Sequence, residues 1–250
     1  MTNRPVHDAS ASRPAIVIPT YNEADNIRAL VQEILHYVPH AHVIVVDDAS
    51  PDGTGEIVDE MAREDERIHV VHRPGKLGLG TAYVAGFRVA FELGADPICT
   101  MDADFSHHPR YLPALLAKAQ EVDVSIGSRY VPGGGTAHWG VQRQILSRGA
   151  NFVARTLLGL QARDCTAGFR AYRRYVLETI RPETVKADGY SYLVEMLYRC
   201  QRQGFRVGEV PIIFADRVRG RSKISQREIF KAMGTVARLF LHRLLAHKGK

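Results

Sequence analysis

Cysteine is scarce in this sequence, and its spacing excludes two of its common uses. The three cysteines among 250 residues, Cys99, Cys165 and Cys200, are odd in number and show no CxxC spacing. This pattern argues against a disulfide framework and against a zinc ribbon. Reduced core thiols and a cytosolic compartment are therefore expected.

Long apolar runs are lacking as well. No stretch reaches the roughly 18 uncharged apolar residues that a membrane-spanning helix needs. The N-terminal residues contain no apolar segment of the kind found in signal peptides. We therefore expect a chain that does not cross a bilayer.

Acidic residues are almost missing from the C-terminal part of the chain. The whole sequence has 33 Lys and Arg against 27 Asp and Glu, a net charge of +6. Residues 217–250 hold ten of those basic residues and one acidic residue, which leaves 23 basic and 26 acidic residues in 1–216. With 45% hydrophobic and 24% charged residues, the composition is that of a globular domain and excludes a disordered or collagen-like chain.

Strand-like and helix-like segments alternate after a polar tail at residues 1–14. The strand-like runs are Ala15–Ile18, His42–Val46, Ile68–Val71, Pro97–Met101 and Val122–Ile126, with helical patterns at about 26–37, 54–66, 80–93 and 109–120. A helix at about 189–203 and a strand at Val207–Phe214 follow later. The alternation predicts an α/β fold with a mostly parallel, Rossmann-like sheet and helices on both faces. Because ligands of such sheets bind beyond the carboxyl ends of the strands, the residues after each strand are the candidates for a site.

A pair of carboxylates follows the fourth predicted strand. Asp102 and Asp104 are two residues apart, and in extended backbone such residues point to the same side. They can together hold Mg²⁺ or Mn²⁺, with water and substrate phosphates as the remaining ligands. Ser106, two residues further on, would point to the same side of an extended backbone. A plain turn is the alternative, but the place after a central strand favours the cation site. His107 and His108 have neither an HExxH pattern nor cysteine partners, so zinc is not expected.

Two other loops give less specific signals. Asp47 and Asp48 follow the second strand, where one carboxylate could accept hydrogen bonds from a ribose or base. The Pro-Asp-Gly that comes next is also ordinary turn chemistry. The glycine-rich segment Gly75–Gly80 fits neither a P-loop nor a dinucleotide fingerprint, so a flexible entry to a helix is favoured.

Cationic residues accumulate after residue 127. Arg143 and Ser147 are four residues apart in a helix-like stretch and so share one face. The face is either solvated or, together with the preceding glycine-rich loop, part of a lid over an anionic substrate. Four further cations lie within residues 217–223, where Arg217 and Lys223 could bind a diphosphate if the run is more than a solvated one.

The last predicted helix, about 225–246, is amphipathic. Its apolar residues recur at helical spacing: Ile229, Phe230, Met233, Val236, Ala237, Phe240, Leu241, Leu244 and Leu245. Such a stripe is typical of a core helix. A helix this basic and aromatic is equally typical of one that lies in the headgroup plane of a membrane, and both interpretations stay open.

Six motifs together resemble the polyprenol (dolichyl) phosphate mannosyltransferases, especially their actinobacterial members. These motifs are Pro19–Glu23, Asp47–Thr54, Asp102–Pro109, Gly127–Tyr130, Asp164–Arg170 and Arg217–Lys223. The family consists of inverting family 2 glycosyltransferases with a GT-A fold, and the match runs from about residue 14 to 224. The resemblance implies a GT-A domain over 15–224 and an amphipathic basic helix over 225–250.

The same resemblance implies an activity and its residues. The activity is transfer of mannose from GDP-mannose to a polyprenyl phosphate with inversion, giving a lipid-linked mannose donor. The positions that match nucleotide-sugar contacts are Pro19, Tyr21, Glu23, Asp48, Asp102, Ala103, Asp104, Arg129, Arg217 and Lys223, and of these Asp104, Arg129, Arg217 and Lys223 are the catalytic candidates. The acceptor-phosphate positions are Arg129, Arg143 and Ser147.

The resemblance also implies a cofactor and partners. Mg²⁺ or Mn²⁺ is expected on Asp102 and Asp104, and Ser106 stands where some members carry Gln, so its contact with the ion is either direct or through water. The expected location is the cytoplasmic face of a membrane, with an anionic lipid surface and a membrane-embedded protein as candidate partners. No nucleic acid partner is expected.

Two alternatives compete with this interpretation. The nearer one is another family 2 transferase that forms glucosyl or N-acetylglucosaminyl phosphate-lipid, or that uses a hydroxyl acceptor. Processive synthases typically show QxxRW, whereas the single Trp139 here is followed by Gly. The remoter one is a non-catalytic nucleic-acid-binding protein that uses the basic tail, which the mildly acidic remainder of the chain disfavours.

Overall fold

The computed structural model describes residues 13–187, 189–215, 233–241 and 243. The strands are β1 Ala15–Thr20, β2 His42–Asp47, β3 Ile68–His72, β4 Ile98–Thr100, β5 Val124–Ser128, β6 Gly135–Ala137, β7 Arg170–Tyr172, β8 Val207–Pro211 and β9 Ile213–Ala215. The α-helices are α1 Ala24–Tyr37, α2 Thr54–Glu64, α3 Leu79–Glu92, α4 Leu112–Glu121, α5 Val141–Leu158, α6 Arg174–Ile180 and α7 Tyr190–Arg202, and short 3₁₀ helices lie at Pro109–Tyr111 and Pro182–Thr184. The predicted α/β alternation is confirmed.

The main sheet is mostly parallel and reverses its strand order near the middle. The order is β3-β2-β1-β4-β7-β5-β8, and β7 is antiparallel to both of its neighbours. A second, two-stranded parallel sheet joins β6 to β9. Because β2 lies on one side of β1 and β4 on the other, the carboxyl ends of β1 and β4 flank the switch point where open α/β sheets bind ligands.

Both faces of the sheet are covered by helices. Alternate residues of β1 belong to different cores: Ile16 and Ile18 pack with α1, α2 and α4, whereas Val17 packs with α3, α6 and α7. Strands buried on both faces explain the continuous Val and Ile runs of the sequence. The two cores hold the strand ends rigidly, which fixes the loops described below.

Helix α5 is only half covered. Ala154 and Leu158 on one side are buried in the core, whereas Val141, Ile145 and Phe152 on the other side are 72%, 66% and 68% exposed. The helix is therefore docked by one face and presents apolar side chains on the opposite one.

The C-terminal helix has features of both interpretations left open by the sequence. Residues 233–241 are helical, and Val236 and Leu239 pack into the same core as α7. Arg238 pairs with the buried Glu195 of α7. Met233 and Leu241 are instead 62% and 59% exposed. The N-terminal tail at 1–12 and residues 216–232 lie outside the described residues, and among those described no helix is long and apolar enough to span a membrane.

Candidate active site

Three loops at the carboxyl edge of the sheet contain a residue in the left-handed backbone region. These residues are Asn22 after β1, Ala49 after β2 and Phe105 after β4, with φ of 59°, 53° and 61°. For residues other than glycine this conformation is unfavourable and is kept only where surrounding contacts enforce it. Enforced turns at three adjacent strand ends are typical of a functional site.

Asp47 supports this edge and is not a ligand-binding residue in this arrangement. It is 2% exposed, and its carboxylate accepts hydrogen bonds from the Thr20 hydroxyl at 2.9 Å and the Ser50 backbone N–H at 2.9 Å. The Ser50 hydroxyl in turn accepts from the Asn22 backbone N–H at 3.0 Å. Of the two adjacent carboxylates, Asp47 therefore joins the β1 and β2 loops.

Asp48 is paired with an arginine that the sequence analysis missed. Arg73, directly after β3, donates from Nε to Asp48 Oδ1 at 2.6 Å and from Nη1 to the Thr81 hydroxyl at 2.8 Å. Both residues of the ion pair are 8% exposed. Among the described residues the Oδ2 atom of Asp48 has no hydrogen-bond partner, so the arginine orients the carboxylate and leaves one oxygen for a ligand.

The loop after β1 is held by the loop after β2. The backbone N–H of Glu23 donates to the Thr54 hydroxyl and that of Ala24 to Asp52, both at 3.0 Å. The ammonium of Lys76, in the glycine-rich segment, lies 4.4 Å from the centre of the Tyr21 ring. The structure thus brings the predicted nucleotide-contact residues Tyr21 and Glu23 together with Asp48, beside Pro19 at the end of β1, and adds Lys76 and Arg73 to the same edge.

The two carboxylates after β4 differ in their surroundings. The side chain of Asp102 is 40% exposed, and its backbone N–H donates to His107 Nδ1 at 3.2 Å. Asp104 is buried, and its Oδ1 accepts the Ser106 backbone N–H at 3.0 Å. Ala103 lies buried between them, and Ser106 is 2% exposed, so its part as a cation ligand stays a prediction.

A buried phenol lies next to Asp102. A methyl group added to Gly168 would lie 3.5 Å from both Asp102 Oδ1 and the Tyr83 hydroxyl oxygen, so the two atoms flank the same point. The Tyr83 hydroxyl is buried and has no hydrogen-bond partner among the described residues. Burial raises the pKa of Tyr83 well above its ordinary value, and the nearby Asp102 carboxylate adds to that shift. Tyr83 is therefore a neutral hydroxyl next to Asp102.

The residues after β4 fit a hard divalent cation. Carboxylate oxygens are the ligands that Mg²⁺ and Mn²⁺ prefer, and such ions usually keep several waters or bind substrate phosphates. Among the residues that the structure describes, no group of three His, Cys, Asp or Glu is placed to hold a metal ion. Two carboxylates alone suit an ion whose other ligands come from solvent and a diphosphate.

Arg129 is fixed by a fully buried carboxylate. Its Nε and Nη2 atoms donate to the two oxygens of Asp164 at 2.7 and 2.6 Å, and its backbone N–H donates to the same carboxylate at 3.0 Å. The Nη2 atom also donates to the Thr166 hydroxyl at 2.8 Å. The side chain of Asp164 is 0% exposed. This fork geometry leaves the guanidinium one orientation.

Trp139 brings the three predicted acceptor residues together. The guanidinium carbons of Arg143 and Arg129 lie 4.0 and 5.5 Å from the centre of the Trp139 ring system. Ser147 is joined to the same group because its hydroxyl accepts from the Tyr130 hydroxyl at 2.7 Å. The α5 face with Arg143 and Ser147 is thus part of a cationic, aromatic cluster.

Two predicted site residues cannot be placed. Arg217 and Lys223 lie outside the described residues, so their contacts with donor phosphates stay predictions. Arg73 and Tyr83 had no sequence signal as site residues. Asp164 belongs to the motif Asp164–Arg170, but its pairing with Arg129, 35 positions earlier, could not be predicted without the fold.

A doubly wound sheet with two carboxylates at its switch point and arginines around the adjoining pocket is the GT-A arrangement of glycosyltransferases. The family model for glycosyl transferase family 2 matches residues 15–181, and the chain belongs to that family. The resemblance inferred from the motifs is confirmed.

Curated relatives cover nearly the whole chain. The polyprenol monophosphomannose synthase of Mycolicibacterium smegmatis is 47% identical over 227 residues, which span 90% of this chain and 86% of the relative. The undecaprenyl-phosphate mannosyltransferase of Micrococcus luteus is 44% identical over 226 residues, which span 90% and 93%.

Solved structures confirm the fold class. Glucosyl-3-phosphoglycerate synthase from Mycobacterium tuberculosis, in complex with phosphoglyceric acid, superposes with a TM-score of 0.66 at 19% identity, covering 92% of this chain and 80% of that one. The complex of the same enzyme with Mn²⁺, uridine diphosphate and phosphoglyceric acid gives a TM-score of 0.64 at 19% identity, covering 92% and 79%. At this identity the likeness is one of fold.

Proposed function

We propose that this glycosyltransferase transfers mannose from GDP-mannose to a polyprenyl monophosphate, giving β-D-mannosyl phosphopolyprenol and GDP. The observation that carries the proposal is the cluster around Trp139, where Arg143, Arg129 and Ser147 gather. Such a cationic cluster fits an anionic acceptor. Two relatives above 40% identity are named for mannose transfer to polyprenyl or undecaprenyl phosphate, which supports the choice of sugar and acceptor.

The donor site is assigned to the loops after β1, β2 and β4. The oxygen of Asp48 that Arg73 leaves available suits a hydrogen bond from the nucleoside, and Tyr21 and Glu23 adjoin it. Asp102 and Asp104 would hold Mg²⁺ or Mn²⁺, whose bound form neutralises charge on the departing diphosphate. A structural neighbour that was solved with Mn²⁺ and a nucleotide supports divalent metal use. Arg217 and Lys223 are proposed as further contacts of the diphosphate.

The acceptor needs positioning more than activation. A phosphate monoester has a second pKa of about 6, so it is mostly a dianion at neutral pH and can attack without a general base. Arg143 and the hydroxyl of Ser147 would orient it, and Arg129, fixed by Asp164, would form the wall of the pocket beside the donor. Cationic groups offset the repulsion between the acceptor and the donor diphosphate.

The reaction is a single displacement. A phosphate oxygen of the acceptor forms a bond to the anomeric carbon while the bond from that carbon to the β-phosphate oxygen of GDP breaks. The bonding electron pair leaves with GDP, so no proton transfer is required. Because α-linked GDP-mannose is attacked from the opposite face, the product has the β configuration, and it can serve as a lipid-linked mannose donor for glycolipid, glycan or protein mannosylation.

The acceptor implies a membrane location. We place the enzyme at the cytoplasmic face of a membrane, where its lipid acceptor is embedded, with the basic C-terminal part near anionic headgroups. A membrane-embedded partner protein is a further proposal. Exposed Met233 and Leu241 on the C-terminal helix support contact with lipid.

One experiment separates this proposal from its nearest alternative. The purified protein is incubated with Mg²⁺ or Mn²⁺, a short polyprenyl phosphate, and GDP-mannose, UDP-glucose or UDP-N-acetylglucosamine in turn. We expect product only from GDP-mannose, with a mass equal to that of the lipid phosphate plus one hexosyl group and with the β configuration by NMR. Product from a UDP-sugar alone would make this a different family 2 transferase, and an α product would exclude single displacement.

A further inference from the structure

An arginine-lined cavity lies between α5 and the segment that follows β5. Its volume is about 520 Å³, and its charged lining consists of Arg129, Arg148, Arg155 and Arg163. Among the described residues that line it, none is Asp or Glu. Arg143 precedes Arg148 by five residues, which places their side chains about 140° apart around the helix. The cavity adjoins the proposed acceptor residues, because Arg129 and Tyr130 line it and the Tyr130 hydroxyl donates to Ser147, but its other arginines are not among those residues.

Three of these four arginines form no ion pair with any residue that the structure describes. The carboxylate of Asp164 compensates Arg129. In the part of the chain that the structure describes, the side chains of Arg148, Arg155 and Arg163 make no ion pair or hydrogen bond, and the Nε atom of Arg155 is buried without a partner. A buried donor without a partner is unfavourable, and like charges around one cavity repel each other. An anion in the cavity would relieve both effects.

The cavity is built on a rigid support. Arg148 and Arg155 are seven residues apart on α5, so they lie on the same side of the helix about 10 Å apart along its axis. Between them Asn151 is 3% exposed, accepts the Cys165 backbone N–H at 2.7 Å and donates to the Thr166 hydroxyl at 3.2 Å. These bonds dock α5 onto the loop that contributes Arg163. These bonds therefore hold the backbone that carries Arg148 and Arg155 against the backbone that carries Arg163.

The chemistry of the lining selects a phosphate group. Guanidinium forks match phosphate oxygens in bidentate geometry, and three of them suit a group with more than one charged oxygen. Phe152, 68% exposed, also lines the cavity and gives it an apolar rim. We propose that this cavity is a second anion site that binds a phosphate group through Arg148, Arg155 and Arg163, none of which is assigned to the donor or the acceptor. The same chemistry is offered by a phospholipid headgroup at a membrane and by free phosphate in solution.

The test compares two matched triple variants of the full chain. The first carries Arg148→Gln, Arg155→Gln and Arg163→Gln. The second, a control with the same loss of charge, carries Arg28→Gln, Arg63→Gln and Arg88→Gln, which are exposed positions on α1, α2 and α3. Both variants keep the basic C-terminal segment, so any general attraction to anions is shared. Circular dichroism checks that both are folded.

Two arms distinguish the sources of the phosphate. In the first, co-sedimentation is measured with vesicles of phosphatidylcholine alone and with vesicles that also contain phosphatidylglycerol. In the second, the melting temperature is measured with inorganic phosphate against chloride at equal ionic strength. We expect the cavity variant to bind anionic vesicles at least about tenfold more weakly than the control, because each cation near an anionic surface contributes roughly fivefold.

Each outcome decides the proposal. Weaker vesicle binding by the cavity variant alone supports a lipid headgroup as ligand. A loss of phosphate stabilisation in the cavity variant alone, with vesicle binding unchanged, supports the site with a free phosphate compound as ligand. Equal behaviour of the two variants in both arms would overturn the proposal. It is independent of the proposed function, since neither arm measures sugar transfer.

Discussion

Arg129 and Asp164 form a buried ion pair with two side-chain hydrogen bonds, at 2.7 and 2.6 Å, between β5 and the loop that precedes β7. The carboxylate is fully buried and the arginine side chain is 9% exposed. Removal of one partner from such a pair leaves an uncompensated buried charge. The pair therefore links the stability of the domain to the position of Arg129, which we propose to contact the acceptor.

The first prediction concerns this pair. Asp164→Asn is expected to lower the free energy of unfolding by about 3 kcal/mol, because the Arg129 charge loses its partner. It should also raise the KM for polyprenyl phosphate, since the arginine loses its fixed orientation. Urea denaturation and steady-state kinetics measure the two effects.

Asp96→Asn is the matched control, because Asp96 pairs with Arg173 at 2.7 Å and both side chains are nearly buried. It should reduce stability alone, and an equal rise in KM in both variants would contradict the assignment of the pocket.

A second prediction tests the cation site. Asp104→Asn keeps the shape of the side chain but removes the negative charge that we assign to a divalent ion. We expect transfer activity to fall by at least about 100-fold and Mn²⁺ affinity to fall with it, because metal stabilisation of a leaving group is worth several kcal/mol. The partly exposed acid Asp59, on α2 and paired with His72, provides the control Asp59→Asn. Turnover of Asp104→Asn at the wild-type rate would exclude this residue from the metal site.

The third prediction separates the acceptor from the donor. Arg143→Gln should lower kcat/KM for polyprenyl phosphate by roughly 10-fold or more, since a hydrogen bond to a charged group contributes about 1.5–3 kcal/mol. The affinity for GDP should hardly change, because Arg143 lies against Trp139 on α5 and is not part of the β1, β2 or β4 loops. Gln142→Ala changes the adjacent exposed residue of the same helix and should affect neither quantity. Equal losses in GDP and acceptor affinity for Arg143→Gln would argue against a separate acceptor pocket.

The sequence predicted six of the seven strands of the main sheet and missed β7. The Val and Ile runs of β1, β2 and β3 are visible because both faces of these strands are buried. β7 has three residues and begins with Arg170, which is completely buried and donates to the carbonyl oxygens of Ala167, Leu193 and Cys165. No hydrophobic pattern marks this strand. The Arg170 side chain is stable inside the protein because its hydrogen-bond acceptors are backbone carbonyl oxygens that only the fold brings near.

The residues of the candidate site were likewise predictable from the sequence only in part. Asp102 and Asp104 were predictable because their spacing and their strand lie in one short segment. The partners that orient the site were not, since Arg73 is 25 positions from Asp48 and Asp164 is 35 positions from Arg129. Residues that bind ligands form local motifs, whereas the residues that hold them in place come from distant parts of the chain.

The fourth prediction concerns the Tyr83 hydroxyl. Since this buried group has no partner among the described residues, Tyr83→Phe removes an unfavourable polar group and should leave the free energy of unfolding equal or higher by up to about 1 kcal/mol. Tyr172→Phe is the comparison, because the Tyr172 hydroxyl accepts from Arg170 at 3.2 Å and its loss should destabilise the protein by about 1 kcal/mol. Thermal and urea denaturation give both values. A clear loss of stability in Tyr83→Phe would show that the hydroxyl has a partner in solution, with the neighbouring Asp102 carboxylate as the candidate.

The fifth prediction separates the two roles of the C-terminal helix. Val236 is in the core, so Val236→Glu buries an unpaired charge and should lower the free energy of unfolding by about 3 kcal/mol.

Met233 and Leu241 are more than half exposed, so the double variant Met233→Glu, Leu241→Glu should keep the wild-type melting temperature. If the exposed row lies in a headgroup plane, that double variant should bind phosphatidylglycerol vesicles several-fold more weakly than wild type. Co-sedimentation measures this, with Met233→Gln, Leu241→Gln as a control that adds polarity without charge. A double Glu variant that binds like wild type would leave the helix with a core role alone, and one that unfolds would show that these side chains are covered by protein.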